Sequence, residues 1–216
     1  MLHRLRHPVA LTAALSIALH ALGLLFALLG MGPGTGLVPL EQRLAYLAGS
    51  PALWAAGWAT WMLCALVLIA FLWFLHVETG AGLILLATVL TAAGAAVDMA
   101  CDTLFITTLP LIAARTTTDP TLFLAVERAL GAGGMVIGNG LYSGAILLTT
   151  WALRGDAKLF RGTTALGVAT FLFGMVMVGA GFAGSPLLLE LCTGPTIGCF
   201  MGWTVAIALR FGGAGS

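Results

Sequence analysis

Charge is the scarcest commodity in this chain. Asp, Glu, Lys and Arg together make up 8% of the 216 residues, far below the about 25% of an ordinary soluble domain. A water-soluble fold cannot keep its surface wet on so little, so that class is excluded. The acids and bases nearly cancel to a net charge of +1, which removes the basic surface that nucleic-acid binding requires. Cysteine is limited to Cys64, Cys101, Cys192 and Cys199. No two of them form a CxxC pair, which argues against a thiol–disulfide oxidoreductase and a zinc knuckle. Short alternating apolar and polar segments are missing, so a transmembrane β-barrel is excluded too. Neither a repeat of solenoid period nor a soluble domain is present.

What the chain has instead is hydrocarbon-like sequence. Hydrophobic residues make up 60%, mean hydropathy is +1.08, and apolar runs of about 20 residues recur along the whole length. The fold class that follows is all-α, a single polytopic transmembrane helical bundle over residues 1–216. Six spans are expected, near residues 8–30, 52–76, 81–109, 121–153, 163–184 and 186–209. The first apolar run exceeds the about 7–15 residues of a signal peptide, so it reads as a retained helix. In the connection 31–51, Leu40, Leu44 and Leu47 recur at helical spacing and predict a short interfacial helix, with Tyr46 near the headgroups. Ser50-Pro51 reads as a helix cap, as does Asp119-Pro120. Trp54, Trp58 and Trp61 form a stripe near the start of the second span, suited to an interfacial anchor or a packing surface.

Three features predict irregularity inside the spans. Pro110 should end or bend the third helix. The fourth stretch, 121–153, is too long for a simple crossing at about 1.5 Å per residue, and Gly131-Ala-Gly-Gly134 is where it would break if it does not tilt. Thr193-Gly-Pro195 should bend the sixth. Six spans put both termini on one side with Arg4, Arg6, Arg154, Lys158, Arg161 and Arg210, against Arg43, Arg115 and Arg128 opposite. The positive-inside rule then places both termini in the cytoplasm.

That orientation collects the chemically odd residues in one leaflet. Asp98 and Asp102 lie one turn apart on the third helix, facing the same way. Glu127, Arg128 and Glu190 fall at a similar outer level, and His20 at middle to outer depth. Glu127 shares a helical face with Gly131, Gly134 and Gly138, and Glu190 with Gly194, Gly198 and Gly202. Small residues at that spacing let helices approach closely, so both glutamates are expected to face inward. Intramembrane acids are costly and mark binding or transport sites by default. The expectation is an outer-half acidic pocket of Asp98, Asp102, Glu127, Arg128, Glu190 and His20, binding or passing an ion, a proton or a small polar solute. The competing reading is an ion-paired network of Arg128 with Asp98, Asp102 or Glu127 that only fixes helix register.

Sharper chemistries fit poorly. Haem wants two histidines at matched depth, and His20 and His76 lie at different levels. The four acids admit a hard cation, whereas the lack of neighbouring histidine argues against a transition metal. Gly140-Leu-Tyr-Ser-Gly144 has the wrong spacing for an intramembrane serine protease, and no histidine follows it in the later spans. Neither a catalytic residue nor a cofactor is expected. Cys101 and Cys192 share the outer half and can meet in a disulfide if that side is oxidising.

The segments Pro51-Ala-Leu-Trp54…Gly57-Trp58…Trp61, VDMACDTLFITTLPLIA and FLAVERALGAGGMVIGNGLYSG resemble uncharacterised bacterial six-helix integral membrane proteins of unknown function. The resemblance implies a bacterial polytopic fold in the inner membrane and carries no activity. The expected partner is the lipid bilayer, with other membrane subunits or a homo-oligomer as the alternative role, a non-catalytic part of a larger complex.

Overall fold

The computed structural model describes residues 7–49, 51–116 and 119–211. Arg4, Arg6 and the Ser50 cap lie outside them. Among the described residues every regular element is helical, and six helices are long and apolar enough to cross a membrane: Pro8–Gly34, Ala52–Thr79, Gly82–Arg115, Thr121–Leu153, Gly162–Ala183 and Pro186–Phe211. The chain is an all-α, polytopic membrane protein.

The spans are not uniform helices. The first is α1 (Pro8–Phe26), widening to a π-helical turn at Ala27–Met31 and tightening to a 3-10 turn at Gly32–Gly34. The amphipathic α2 (Leu40–Gly49) follows where the leucine spacing predicts it. Leu40, Arg43, Leu44 and Leu47 face the protein, and Glu41, Gln42, Ala45 and Ala48 are exposed. The second span is α3 (Pro51–Thr79), and Gly80, at φ +66°, makes the tight turn into α4 (Gly82–Thr107). Pro110 cannot continue the α4 ladder; the helix stops at Thr107 and resumes as α5 (Leu109–Arg115).

The fourth span does not break at its glycines. It runs as α6 (Thr121–Gly131), a π-helical segment at Ala132–Gly138 and α7 (Asn139–Leu153). Asp119 accepts hydrogen bonds from the Thr121 hydroxyl and N–H at the start of α6. Next come α8 (Gly162–Ala183) and α9 (Pro186–Phe211). Pro195 sits inside α9, where the Thr193 and Thr196 hydroxyls bond the carbonyls of Leu189 and Cys192 and the helix continues.

Each crossing helix packs on the next, α1 on α3, α3 on α4, α4 on α7, α7 on α8 and α8 on α9, and α9 closes the ring against α1. Two apolar clusters fill it. At one end Val9, Leu75, Ile84, Leu153, Trp203 and Ile207 surround Phe71. At the other, α2, α5 and α6 fold over the helix ends, and Leu47, Trp54, Trp58, Phe105, Leu109 and Phe123 form the second cluster. The first end is uncapped and carries the 154–161 loop; the second is capped.

The tryptophan stripe belongs to packing. Trp54 donates its indole N–H to the Phe105 carbonyl at 2.7 Å, and Trp58 stacks on the Phe105 ring at 4.3 Å. The Cys101–Cys192 disulfide does not form: both thiols are free, and Cys192 lies on α9, across the ring from α4.

Candidate functional site

The two aspartates of α4 lie inside the bundle, where α4 crosses the fourth span. The crossing is tight because both helices are small there. A Cβ placed on Gly94 would lie 3.2 Å from the Gly138 carbonyl oxygen, so the backbones approach nearly to contact, as small residues permit. The π-helical segment sits opposite Asp98. A Cβ on Gly134 would lie 3.0 Å from Asp98 Oδ1, and one on Gly138 3.3 Å from the same oxygen. The missing side chains of Gly134 and Gly138 therefore make the recess that holds the Asp98 carboxyl. Gly133 does the same for Cys101, whose Sγ would be 2.4 Å from an added Cβ. Single π-turns inside α-helices are concentrated at functional sites.

Asp98 has one hydrogen-bond partner among the described residues: the Tyr142 hydroxyl donates to its Oδ2 at 3.1 Å. Asp102 is more isolated. It is 1% exposed, and its Oδ2 has no hydrogen-bond partner. Across the α3–α4 seam, the Trp58 indole N–H is likewise buried and unpartnered. No Lys, Arg or His among the described residues pairs with either carboxyl. Burying a carboxylate without a countercharge costs several kcal/mol, so two neighbouring carboxyls in this setting must carry their own compensation.

The other expected members stand elsewhere. Glu127 is held by Arg43, not by Arg128, in a half-buried ion pair joining α6 to α2, and the Arg43 guanidinium lies 5.8 Å over the Phe123 ring. The pair belongs to the cap. The π-helical segment explains why Glu127 and Gly138 part company, since a wider turn rotates everything after it relative to a regular α-helix. Arg128 is exposed and makes no ion pair among the described residues. Glu190 is also exposed, together with Gly194 and Gly198, and an added Cβ on either glycine would meet nothing within 4 Å. That face of α9 looks outward, contrary to the inward facing its glycine spacing predicts. His20 is closer to satisfied: its Nδ1 lies 2.7 Å from the Ser16 carbonyl oxygen, and its ring packs 4.7 Å from that of Phe200. The four acids do not gather, and no group of three or more His, Cys, Asp or Glu among the described residues is placed to hold a metal ion.

Tyr142 and Arg43 are the participants that spacing alone passed over. Tyr142 had a signal: it is one of only two tyrosines, and it lies deep in a span although tyrosine favours the interface. Arg43 had one as well, an arginine on the inward face set by Leu40, Leu44 and Leu47.

Ser143 is buried against Gly174, where an added Cβ would lie 2.0 Å from its hydroxyl, so it serves the close approach of α7 and α8. Comparison with family models, with curated proteins and with solved structures returns no significant match to this chain.

Proposed function

We propose that this is a bacterial inner-membrane protein, both termini cytoplasmic, whose Asp98–Asp102 pair binds a proton and couples it to passage of an ion or small polar solute. The observation that carries the reading is the Asp102 carboxyl, buried in the bundle with an unpartnered oxygen one turn from a second carboxyl. A divalent cation would need about six oxygen ligands; two carboxyls with one phenol offer at most five, and only if both carboxyls bind through both oxygens, while no third acid, His or Cys among the described residues joins them. A proton needs only one oxygen. It removes a charge that no cation among the described residues neutralises and satisfies the Asp102 oxygen that has no donor. The capped end, where Glu127 and Arg43 lie, is the extracytoplasmic side in this reading.

The test is reaction with dicyclohexylcarbodiimide, an apolar reagent that modifies protonated carboxyls. In proteoliposomes of the full chain, peptide mass spectrometry should find the adduct on Asp98 or Asp102, forming more slowly as the medium is made alkaline. Asp98→Asn with Asp102→Asn should abolish it and slow the collapse of an imposed pH gradient. Absence of any adduct, together with identical proton leak in the wild type and the double variant, would overturn the proposal.

The second reading, a non-catalytic subunit or homo-oligomer, is favoured by one observation, the open Gly194–Gly198 face of α9. Cross-linking through Gly198→Cys in native membranes reads it, since a buried joint at that face yields a discrete covalent species and a lipid-facing one does not.

A further inference from the structure

We propose that the cleft between α8 and α9 at the uncapped end is a binding site for an anionic phospholipid, with one acyl chain in the cleft and the headgroup phosphate at its basic rim. The cleft has a volume of about 500 Å³. Its wall is hydrocarbon, from Leu166 on α8 and Gly202, Val205 and Leu209 on α9. Val205 is 42% and Leu209 66% exposed, so this wall opens sideways toward lipid instead of into the protein. Gly202 deepens it, since an added Cβ there would reach Leu166 at 3.4 Å.

The rim has the opposite chemistry. Lys158 and Arg210 line the same cleft, and Arg154 and Arg161 line a smaller recess beside it. Asp156 fixes their arrangement: its Oδ2 accepts from Arg210 Nε at 2.9 Å and its Oδ1 from the Lys158 backbone N–H at 2.8 Å. Arg210 thus spends Nε on Asp156, and no hydrogen bond among the described residues uses its two terminal amino groups. One carboxylate against four cations leaves the rim positive. The N-terminus of α8, at Gly162, adds its dipole at the same end. Basic recesses between membrane helices, next to an apolar groove at headgroup depth, have the chemistry that recognises anionic lipid headgroups. A zwitterionic headgroup would bring an ammonium against the same cations. A soluble anion would leave the apolar wall unused.

The experiment is native mass spectrometry of the delipidated full-length protein in detergent, offered equal amounts of phosphatidylglycerol and phosphatidylcholine. One or two favourably placed cations predict a preference for the anionic lipid of at least about fivefold. Lys158→Gln with Arg161→Gln should lower the preference severalfold, with Arg154 and Arg210 holding the remainder, while Arg115→Gln, at the capped end, keeps the full preference. Val205→Trp should lower retention of both lipids by filling the groove. An unchanged melting temperature confirms that each variant is folded, and Lys158→Gln alone, at an exposed side chain, stands in if the pair is not. Equal retention of the two lipids by the wild type overturns the site. So does a preference that the loss of both cations leaves undiminished. Displacement of bound phosphatidylglycerol by inorganic phosphate overturns it as well, because it would mark a free-anion site.

Discussion

At the scale of single residues, Asp98 and Asp102 separate into two roles although they sit one turn apart. Asp98 is seated: Gly134 and Gly138 make room for it, and Tyr142 donates to it. Asp102 is buried with an idle oxygen. A buried polar group without a partner costs about 1–3 kcal/mol, so its replacement should not harm the fold. Asp102→Asn is expected to melt no lower than the wild type in detergent while losing the carbodiimide adduct at that position. A residue whose purpose was structural would show the reverse, a lowered melting temperature. Tyr142→Phe takes away the one donor to Asp98 among the described residues and should destabilise by about 1 kcal/mol, within the range for hydrogen bonds between membrane helices. Chemical unfolding of the two variants side by side distinguishes the roles. The aspartates were legible in the sequence because a carboxyl in an apolar run is conspicuous. The direction of Glu190 was not. Lipid and protein interior are both apolar, so hydrophobic periodicity cannot report which side of a membrane helix faces in, and glycine spacing pointed the wrong way on α9.

At the scale of elements, the cap is where local sequence and long-range contact meet. The leucine spacing of α2 was readable, and so was the Asp119 turn that starts α6. What could not be read was that Arg43 would find Glu127, because the pairing depends on how α2 folds back over α6 and not on any spacing within either. The ion pair is half-buried and Arg43 is 7% exposed, so removing the acid strands a guanidinium. Glu127→Gln should cost about 2–3 kcal/mol, less than the about 3–5 kcal/mol of a fully buried pair. It should also speed hydrogen exchange in α2, since among the described residues the Tyr46 hydroxyl bond to the Gly30 carbonyl would be the remaining side-chain hydrogen bond tying α2 to the bundle. Arg128→Gln, at an exposed and unpaired site, should do neither. The Asp119 turn has a pH sense. Hydrogen bonds first from the Thr121 hydroxyl and then from its N–H hold this carboxyl below its usual value. A lowered folded-state value means that the contribution is present above the unfolded carboxylate value of about 3.9 and is lost as the pH falls through the folded one. Fraying of α6 should therefore appear only in strongly acidic medium, and Asp119→Asn should remove that acid dependence.

At the scale of the whole molecule, the six crossings were legible because length and hydropathy alone decide what can span a bilayer. The ring was not, because an up-and-down bundle of six can close or stay open with the same span sequence. Closure rests on α1 meeting α9, and it brings the connection after α1 against the first residue of α9: a Cβ on Gly36 would lie 3.2 Å from the Pro186 Cβ. Disulfide-bonded residues have Cβ atoms about 3.5–4.5 Å apart, so Gly36→Cys with Pro186→Cys needs only a few tenths of an ångström of adjustment to oxidise. The pair should cross-link spontaneously in membranes, detected as one disulfide-linked peptide by mass spectrometry. Gly36→Cys with Leu209→Cys joins opposite ends of the bundle and should not. An open bundle would leave both pairs reduced. If the first pair links while Asp98 and Asp102 still react with carbodiimide, the carboxyls are reached in a closed ring. Access to the carboxyls then does not depend on a gap between α1 and α9.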